Sequence, residues 1–245
     1  MDETFSRFSM LIGEESVARL HKARVMVFGL GGVGGNAVEA LARAGIGEFD
    51  LIDADSFAKS NLNRQTLSSL PNIGRKKVDV AEERIKSINP SAIVHKHAHF
   101  YLPEDPGDIE IEKADFVIDA IDTVSAKMDI IIKCYSLGIP MVSALGCGNR
   151  LDPSKLVIAD IHKTELDPLA KVIRKNCRDA GIKSLRVVYS TETPIKPMTP
   201  ALEEGGPRRA IPGSSPFVPP AAGILLAYEA VTTLLNKEEK PAKPE

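Results

Sequence analysis

The chain has 245 residues, is 43% hydrophobic and carries a formal net charge of −2 with a pI near 6.2. That size fits one large α/β domain, and the charge balance excludes a global basic field for nucleic acid while leaving room for a local patch. Three cysteines, Cys134, Cys147 and Cys177, are too few and too widely spaced for a disulfide framework or a zinc site, so a reducing cytosol is expected. Met1–Gly13 carries Asp2, Glu3 and Arg7, unlike a secretory leader. The most apolar stretch, Gly223–Leu235, is short for a membrane span and contains Glu229. It is expected to be a packed C-terminal helix, with peripheral membrane contact as the weaker reading. Residues 237–245 are Lys, Glu and Pro apart from Ala242 and are expected to be disordered.

Arg24–Phe28 predicts a buried parallel strand that runs into the glycine run Gly29–Gly34. Asn36–Ala44 predicts a helix, and Phe49–Ile52 a second strand ending at Asp53. Gly74–Ile88 predicts an amphipathic helix with Val78, Ala81, Ile85 and Ile88 on one face. A weaker strand is expected at Ile93–Lys96, a buried one at Asp115–Ala120, a helix at Ser125–Leu137 and a strand at Met141–Ala144. This alternation predicts a Rossmann-like, doubly wound, mostly parallel sheet. Residues 1–150 would form the nucleotide-binding part. Residues 151–236 would extend the same fold unit, with strands at Leu156–Asp160 and Leu185–Tyr189 flanking a basic helix at Pro168–Ala180. Thr193–Pro220, rich in Pro and Gly, predicts a long loop without elements.

Gly29, Gly31 and Gly34 have the dinucleotide-fingerprint spacing, with Gly32 between them, so a phosphate should meet free amides at a helix N-terminus. Asp53 ends the next strand 19 residues beyond Gly34, where an acid reaches a ribose hydroxyl. Asp55 reads first as an exposed loop acid or helix cap and only secondarily as a nucleotide contact. Arg64 and Lys77 separate the readings. A dehydrogenase has no use for two cations after its ribose acid, whereas a triphosphate being split needs them on its leaving pyrophosphate. Asn61 and Gln65 can hydrogen-bond phosphate or ribose. Asp119 and Asp122 lie at the end of the Asp115–Ala120 strand. Asp122, just past its end, is the candidate Mg²⁺ ligand together with phosphate oxygens, and Asp119 is expected to be buried.

The motifs Gly29-Leu-Gly-Gly-Val-Gly34, Asp53-Ala-Asp55, Ser60-Asn-Leu-Asn-Arg-Gln65, Gly74-Arg-Lys-Lys77 and Asp119-Ala-Ile-Asp122 together resemble the ubiquitin-activating-enzyme-like adenylation superfamily (ThiF/MoeB/HesA). The resemblance implies a homodimer that uses ATP and Mg²⁺ to adenylate a carboxylate, with an N-terminal arginine, here Arg7, reaching into the partner subunit's site. A monovalent cation (Na⁺ or K⁺) is a further candidate ligand. The two Cys-x-x-Cys zinc pairs of relatives that activate sulfur carriers are missing. Asp119–Lys127, Leu151-Asp-Pro153, Asp167-Pro-Leu-Ala170 and Val188-Tyr-Ser-Thr-Glu192 instead resemble the tRNA threonylcarbamoyladenosine dehydratase group. That resemblance implies ATP-dependent activation of the threonyl carboxylate beside the anticodon, followed by ring closure. The alternatives are adenylation of a ubiquitin-like sulfur carrier, or a non-catalytic scaffold among sulfur-relay proteins.

Lys163–Arg186 holds seven basic residues against three acids. Lys171, Lys175, Arg174 and Arg178 there, with Arg208 and Arg209 in the long loop, are the candidate tRNA contacts. Cys134 is expected in the core, and Cys147 or Cys177 would matter only in a sulfur-transfer route. His95, His97 and His99 alternate, which mimics a metal site without completing one.

Overall fold

The computed structural model describes residues 3–199, 201–202 and 210–236. Two short helices, α1 (Ser6–Ile12) and α2 (Glu14–Leu20), lead into β1 (Arg24–Phe28), α3 (Gly34–Ala44), β2 (Glu48–Ile52), α4 (Lys77–Ile88) and β3 (Ile93–His97). The second half adds β4 (Phe116–Asp119), α5 (Val124–Leu137), β5 (Met141–Ala144), β6 (Leu156–Asp160), α6 (Pro168–Asp179) and β7 (Arg186–Ser190). A short hairpin follows, β8 (Ala201–Leu202) with β9 (Ala210–Ile211), and then α7 (Val218–Asn236).

The seven-stranded sheet has the order β3-β2-β1-β4-β5-β7-β6, parallel except for the β6–β7 pair. The chain leaves β1 for β2 and β3 on one side, then returns to β4 on the other. That reversal opens a crevice at the carboxyl ends of β1 and β4. Val25, Val27, Phe116 and Ile118 point to one core, shared with helices α3, α4 and α7. Met26, Phe28 and Val117 point to the other, under α5 and α6. Alternate strand residues therefore reach opposite helical layers, as a doubly covered sheet requires.

Three expectations change. The fourth helix starts at Lys77 rather than Gly74, because Gly74 lies in a turn and Lys76 is extended, bridging to Ser56. The Thr193–Pro220 segment is not devoid of elements. It contains the hairpin, and α7 already begins at Val218, where Ser215 Oγ accepts the amides of Phe217 and Val218. Pro219 and Pro220 fit that first turn, which has no partner for their missing N–H groups. Finally, α7 is longer than the expected helix. Its 19 residues are long and apolar enough to cross a membrane by length and composition, but more than half of the span is buried against the domain. Val218, Ala222, Leu226 and Ala230 face the core, and Glu229 pairs with Arg186. Helices α1 and α2, which bring Val17 and Leu20 into the interior beside Phe5, add to the predicted elements.

Candidate active site

Strand β1 ends in a turn whose compactness depends on two glycines. Gly29 has φ +86°, and a Cβ at Gly34 would stand 1.8 Å from the Gly29 carbonyl oxygen. The first turn of α3 is thereby pressed onto the strand end. The amides of Gly31, Gly32, Val33 and Gly34 have no acceptor among the described residues, which leaves an anion cradle at the start of α3.

Asp53 stands at the end of β2 as expected. Its Oδ2 accepts the Leu30 amide at 2.7 Å and its Oδ1 the Asp55 amide at 2.8 Å. The carboxylate thus fastens the glycine turn to β2 as well as facing the crevice. Lys77, the first residue of α4, is nearly buried, with Nζ 2.8 Å from Asp55 and 3.4 Å from Asp53. Asp55 is an exposed loop acid, but it is also the ion-pair partner of Lys77, a connection that residue order does not show.

Arg64 lies across the glycines: its Cγ would be 3.1 Å from a Cβ at Gly32. Its Nη1 donates to the Ser60 carbonyl and to Asn63 Oδ1. Gln65 is buried, its amide nitrogen would stand 3.8 Å from a Cβ at Gly31, and its Oε1 has no partner among the described residues. Asn61 is partly committed elsewhere, since its Oδ1 accepts the Ala58 amide and shapes the loop.

Asp119 is fully buried, between Lys127 Nζ and Ser143 Oγ, both at 2.7 Å. Lys127 also reaches the Ala144 carbonyl at 3.1 Å. This ion pair ties the carboxyl ends of β4 and β5 together under the crevice. Asp122, just above it, is exposed and makes no hydrogen bond or ion pair among the described residues. Arg7 is exposed on α1 and likewise unpaired among them.

The chain belongs to the ThiF family. The model of that family matches residues 5–245. A tRNA threonylcarbamoyladenosine dehydratase of Bacillus subtilis is 39% identical over 243 residues, covering 96% of both chains. The tRNA N6-threonylcarbamoyladenosine dehydratase of E. coli was solved with AMP and with ATP. These structures superpose with TM-scores of 0.84 and 0.83 at 32% and 31% identity, each covering 95% of this chain and 94% of the other.

The remaining candidate residues of this ThiF-family chain divide between surface and scaffold. In α6, Lys171, Lys175 and Arg178 are exposed at helical spacing along one face. Arg174 is half-buried and donates to the Thr164 carbonyl and hydroxyl, so it belongs to the scaffold. Arg208 and Arg209 lie outside the described residues. Cys134 and Cys177 are fully buried. Burial pushes the Cys177 thiol up to about 11. Burial, with Asp122 and Asp167 nearby, pushes that of half-buried Cys147 up to about 12. Both shifts disfavour the thiolate, which weighs against a sulfur-transfer nucleophile. His95 and His97 pair with Glu48 and Asp50 on β2. A cavity of about 200 Å³ lined by Phe116, Tyr135, Met141 and Arg186 lies at the amino ends of β4, β5 and β7, on the far side from the crevice.

Proposed function

We propose that this protein is an ATP-dependent tRNA threonylcarbamoyladenosine dehydratase, acting on the threonyl carboxylate of the modified adenosine beside the anticodon. The observation that carries the reading is the placement of Arg64 and Gln65 over the free amides of the Gly31–Gly34 turn, with Lys77 and Asp53 alongside. It occurs in a chain that aligns end to end with dehydratases. A carboxylate is a poor electrophile because its leaving group would be oxide. Attack of its oxygen on the α-phosphorus of ATP expels pyrophosphate and makes AMP the leaving group. A nucleophile of the same side chain then attacks the acyl carbon, expels AMP and closes the ring. One carboxylate oxygen leaves with AMP, so the RNA loses the elements of water. Ring closure is intramolecular, so the protein need supply no nucleophile of its own.

The residues divide this work. The glycine-turn amides hold phosphate oxygens, and Asp53 orients the ribose. Arg64, with Lys77 once drawn from Asp55, neutralises the departing pyrophosphate. Asp122 would hold Mg²⁺ together with phosphate oxygens, and its exposed, unpartnered carboxylate at a strand end fits a cation that keeps most of its own water. Bound there, Mg²⁺ would supply charge neutralisation to the phosphates. The test is incubation of threonylcarbamoylated tRNA with protein and ATP, followed by mass spectrometry of the nucleosides. An ATP-dependent loss of one water, matched by AMP release, is expected. AMP release driven instead by a carrier protein ending in Gly-Gly would favour the sulfur-carrier reading.

Lys171, Lys175 and Arg178 form the tRNA-facing side of α6. The triple alanine variant is expected to bind tRNA more weakly and to reduce the slope of log K against log salt by roughly 2 to 3. A filter-binding salt titration measures this. The protein acts as a homodimer in which Arg7 completes the neighbouring site. Mixing equal amounts of Arg7→Ala and Arg64→Ala subunits should restore about a quarter of wild-type turnover. Half the dimers would be mixed, and one of their two sites whole. No recovery on mixing would place Arg7 outside the partner's site.

A further inference from the structure

The crevice has two sides. The carboxyl ends of β1 and β2 carry the glycine turn, Asp53 and the phosphate cations. Those of β4 and β5 lie on the other side, where the second substrate must present its carboxylate. From β5 the chain continues as Leu145-Gly146-Cys147-Gly148-Asn149-Arg150. Cys147 is within electrostatic reach of Asp122, Asp167, Lys127 and Arg150, which sets this loop beside the outer end of β4.

Two buried cations stand beneath the loop, and they are held very differently. Lys127 has three acceptors between 2.7 and 3.1 Å, enough for its three N–H donors. Arg150 has a side chain only 1% exposed, yet its contacts are long: Nη2 to Asp167 Oδ2 at 3.3 Å and Nε to the Gly146 carbonyl at 3.5 Å. Its Nη1 has no partner among the described residues. Asp167 divides its carboxylate: Oδ1 accepts the Ala170 amide at the start of α6, and Oδ2 faces Arg150 at 3.3 Å. A buried guanidinium with an unpaired donor is costly unless a ligand completes it.

The backbone around this arginine is built for close approach. Gly146 has φ +54°, and a Cβ there would stand 1.7 Å from Asp167 Oδ2, so a side chain at Gly146 would expel the acid that holds Arg150. Asn149 has φ +57° and is clamped by the segment that covers the loop. Its amide donates to the Gly213 carbonyl and its Oδ1 accepts the Gly213 amide, both at 2.7 Å. An arginine this buried meets a ligand only if the loop moves, and the Asn149–Gly213 pair is the adjoining contact that such a movement would break.

We propose that Arg150 is the specificity-determining anchor for the carboxylate of the acceptor substrate, holding one oxygen while the other attacks ATP. A guanidinium offers two parallel donors to such a group, and phosphate already has its own cations on the far side of the crevice. The proposal rests on the dehydratase reading for the identity of the acceptor, but not for its charge.

The test uses an anticodon stem-loop carrying threonylcarbamoyladenosine, and the same RNA with the carboxylate replaced by a carboxamide. Binding is measured in the presence of a non-hydrolysable ATP analogue. The wild-type protein should prefer the acid by about tenfold or more. Arg150→Gln should bind acid and amide equally, with affinity for the ATP analogue unchanged, and Arg150→Lys should keep part of the preference. Retention of the full preference in Arg150→Gln overturns the proposal. So does a parallel loss of ATP-analogue affinity, which would make Arg150 a phosphate anchor or a purely structural group. Should Arg150→Gln not fold, hydrogen exchange on the wild-type protein decides: the acid should protect residues 146–150 more than the amide, and equal protection overturns the proposal. If the wild-type protein prefers the acid but never cyclises it with ATP, the dehydratase reading fails while the carboxylate anchor stands.

Discussion

Replacing Arg64 with Ala is expected to lower kcat/KM by about 10²–10³-fold and leave the melting temperature close to wild type. A fixed positive charge aimed at charge that develops on a leaving group acts mainly in the transition state, and removing one such donor costs that much in other enzymes. The structure explains why the fold should survive. Arg64 Nη1 donates only to the Ser60 carbonyl and the Asn63 amide oxygen, both on its own loop. Its alkyl chain lies over Gly32 rather than in either core. Pyrophosphate release with saturating modified tRNA, run beside a thermal melt, separates the two effects. A loss of activity no greater than the loss of folded protein would take Arg64 out of the chemistry. Asp122→Ala should also lower turnover, and the Mg²⁺ concentration needed for half-maximal rate should rise.

The largest expected effect on stability is at Lys127. Lys127→Met leaves Asp119 fully buried with its charge uncompensated, at a cost of about 3–5 kcal/mol. The remaining Ser143 hydroxyl and the Ile121 amide, at 3.3 Å, cannot replace the lost cation. The melting temperature should fall by roughly 10 °C or more. The double variant Asp119→Asn/Lys127→Met should recover part of that loss, because no unpaired charge then remains. A double variant as unstable as the single would mean that packing, not charge, dominates the site. The location gives this pair a consequence for function. Asp119 ends β4, Ser143 lies in β5, and the turn between Asp119 and Asp122 follows directly, so a loosened pair should also misplace Asp122.

Much of the fold is legible in local pattern. Met141–Ala144 and Leu156–Asp160 occupy the ranges expected of them, because short runs of branched apolar residues bounded by turn residues have few alternatives in a covered sheet. The longer helices are legible to within a few residues. Helices α1 and α2 are not, since seven-residue elements carry too little periodicity to stand out. The β8–β9 hairpin escapes for the same reason, being two residues on each side. At the site, Asp53, Arg64 and the glycines are legible because their chemistry is written in contiguous motifs within one βα unit. Arg174 is the counterexample: composition counts its charge but cannot see that Thr164, ten residues away, accepts its guanidinium.

Residue type and order are enough to mark out the candidate nucleotide half of this protein. Close approach of phosphate to backbone requires glycine at particular spacings, and the proposed triphosphate cleavage calls for cations after the acid that ends β2, so both would leave marks in the linear chain. Packing, by contrast, settles which charges are free and which are spent. Lys77 is shared with Asp55, Asp119 is cancelled by Lys127, and Arg150 is left beside Asp167 with a donor unpaired among the described residues. Those outcomes depend on distances of a few ångströms between separate elements and on the removal of water around them. Burial turns an ordinary charge into one that must find a partner, and burial is a property of the packed fold rather than of residue order.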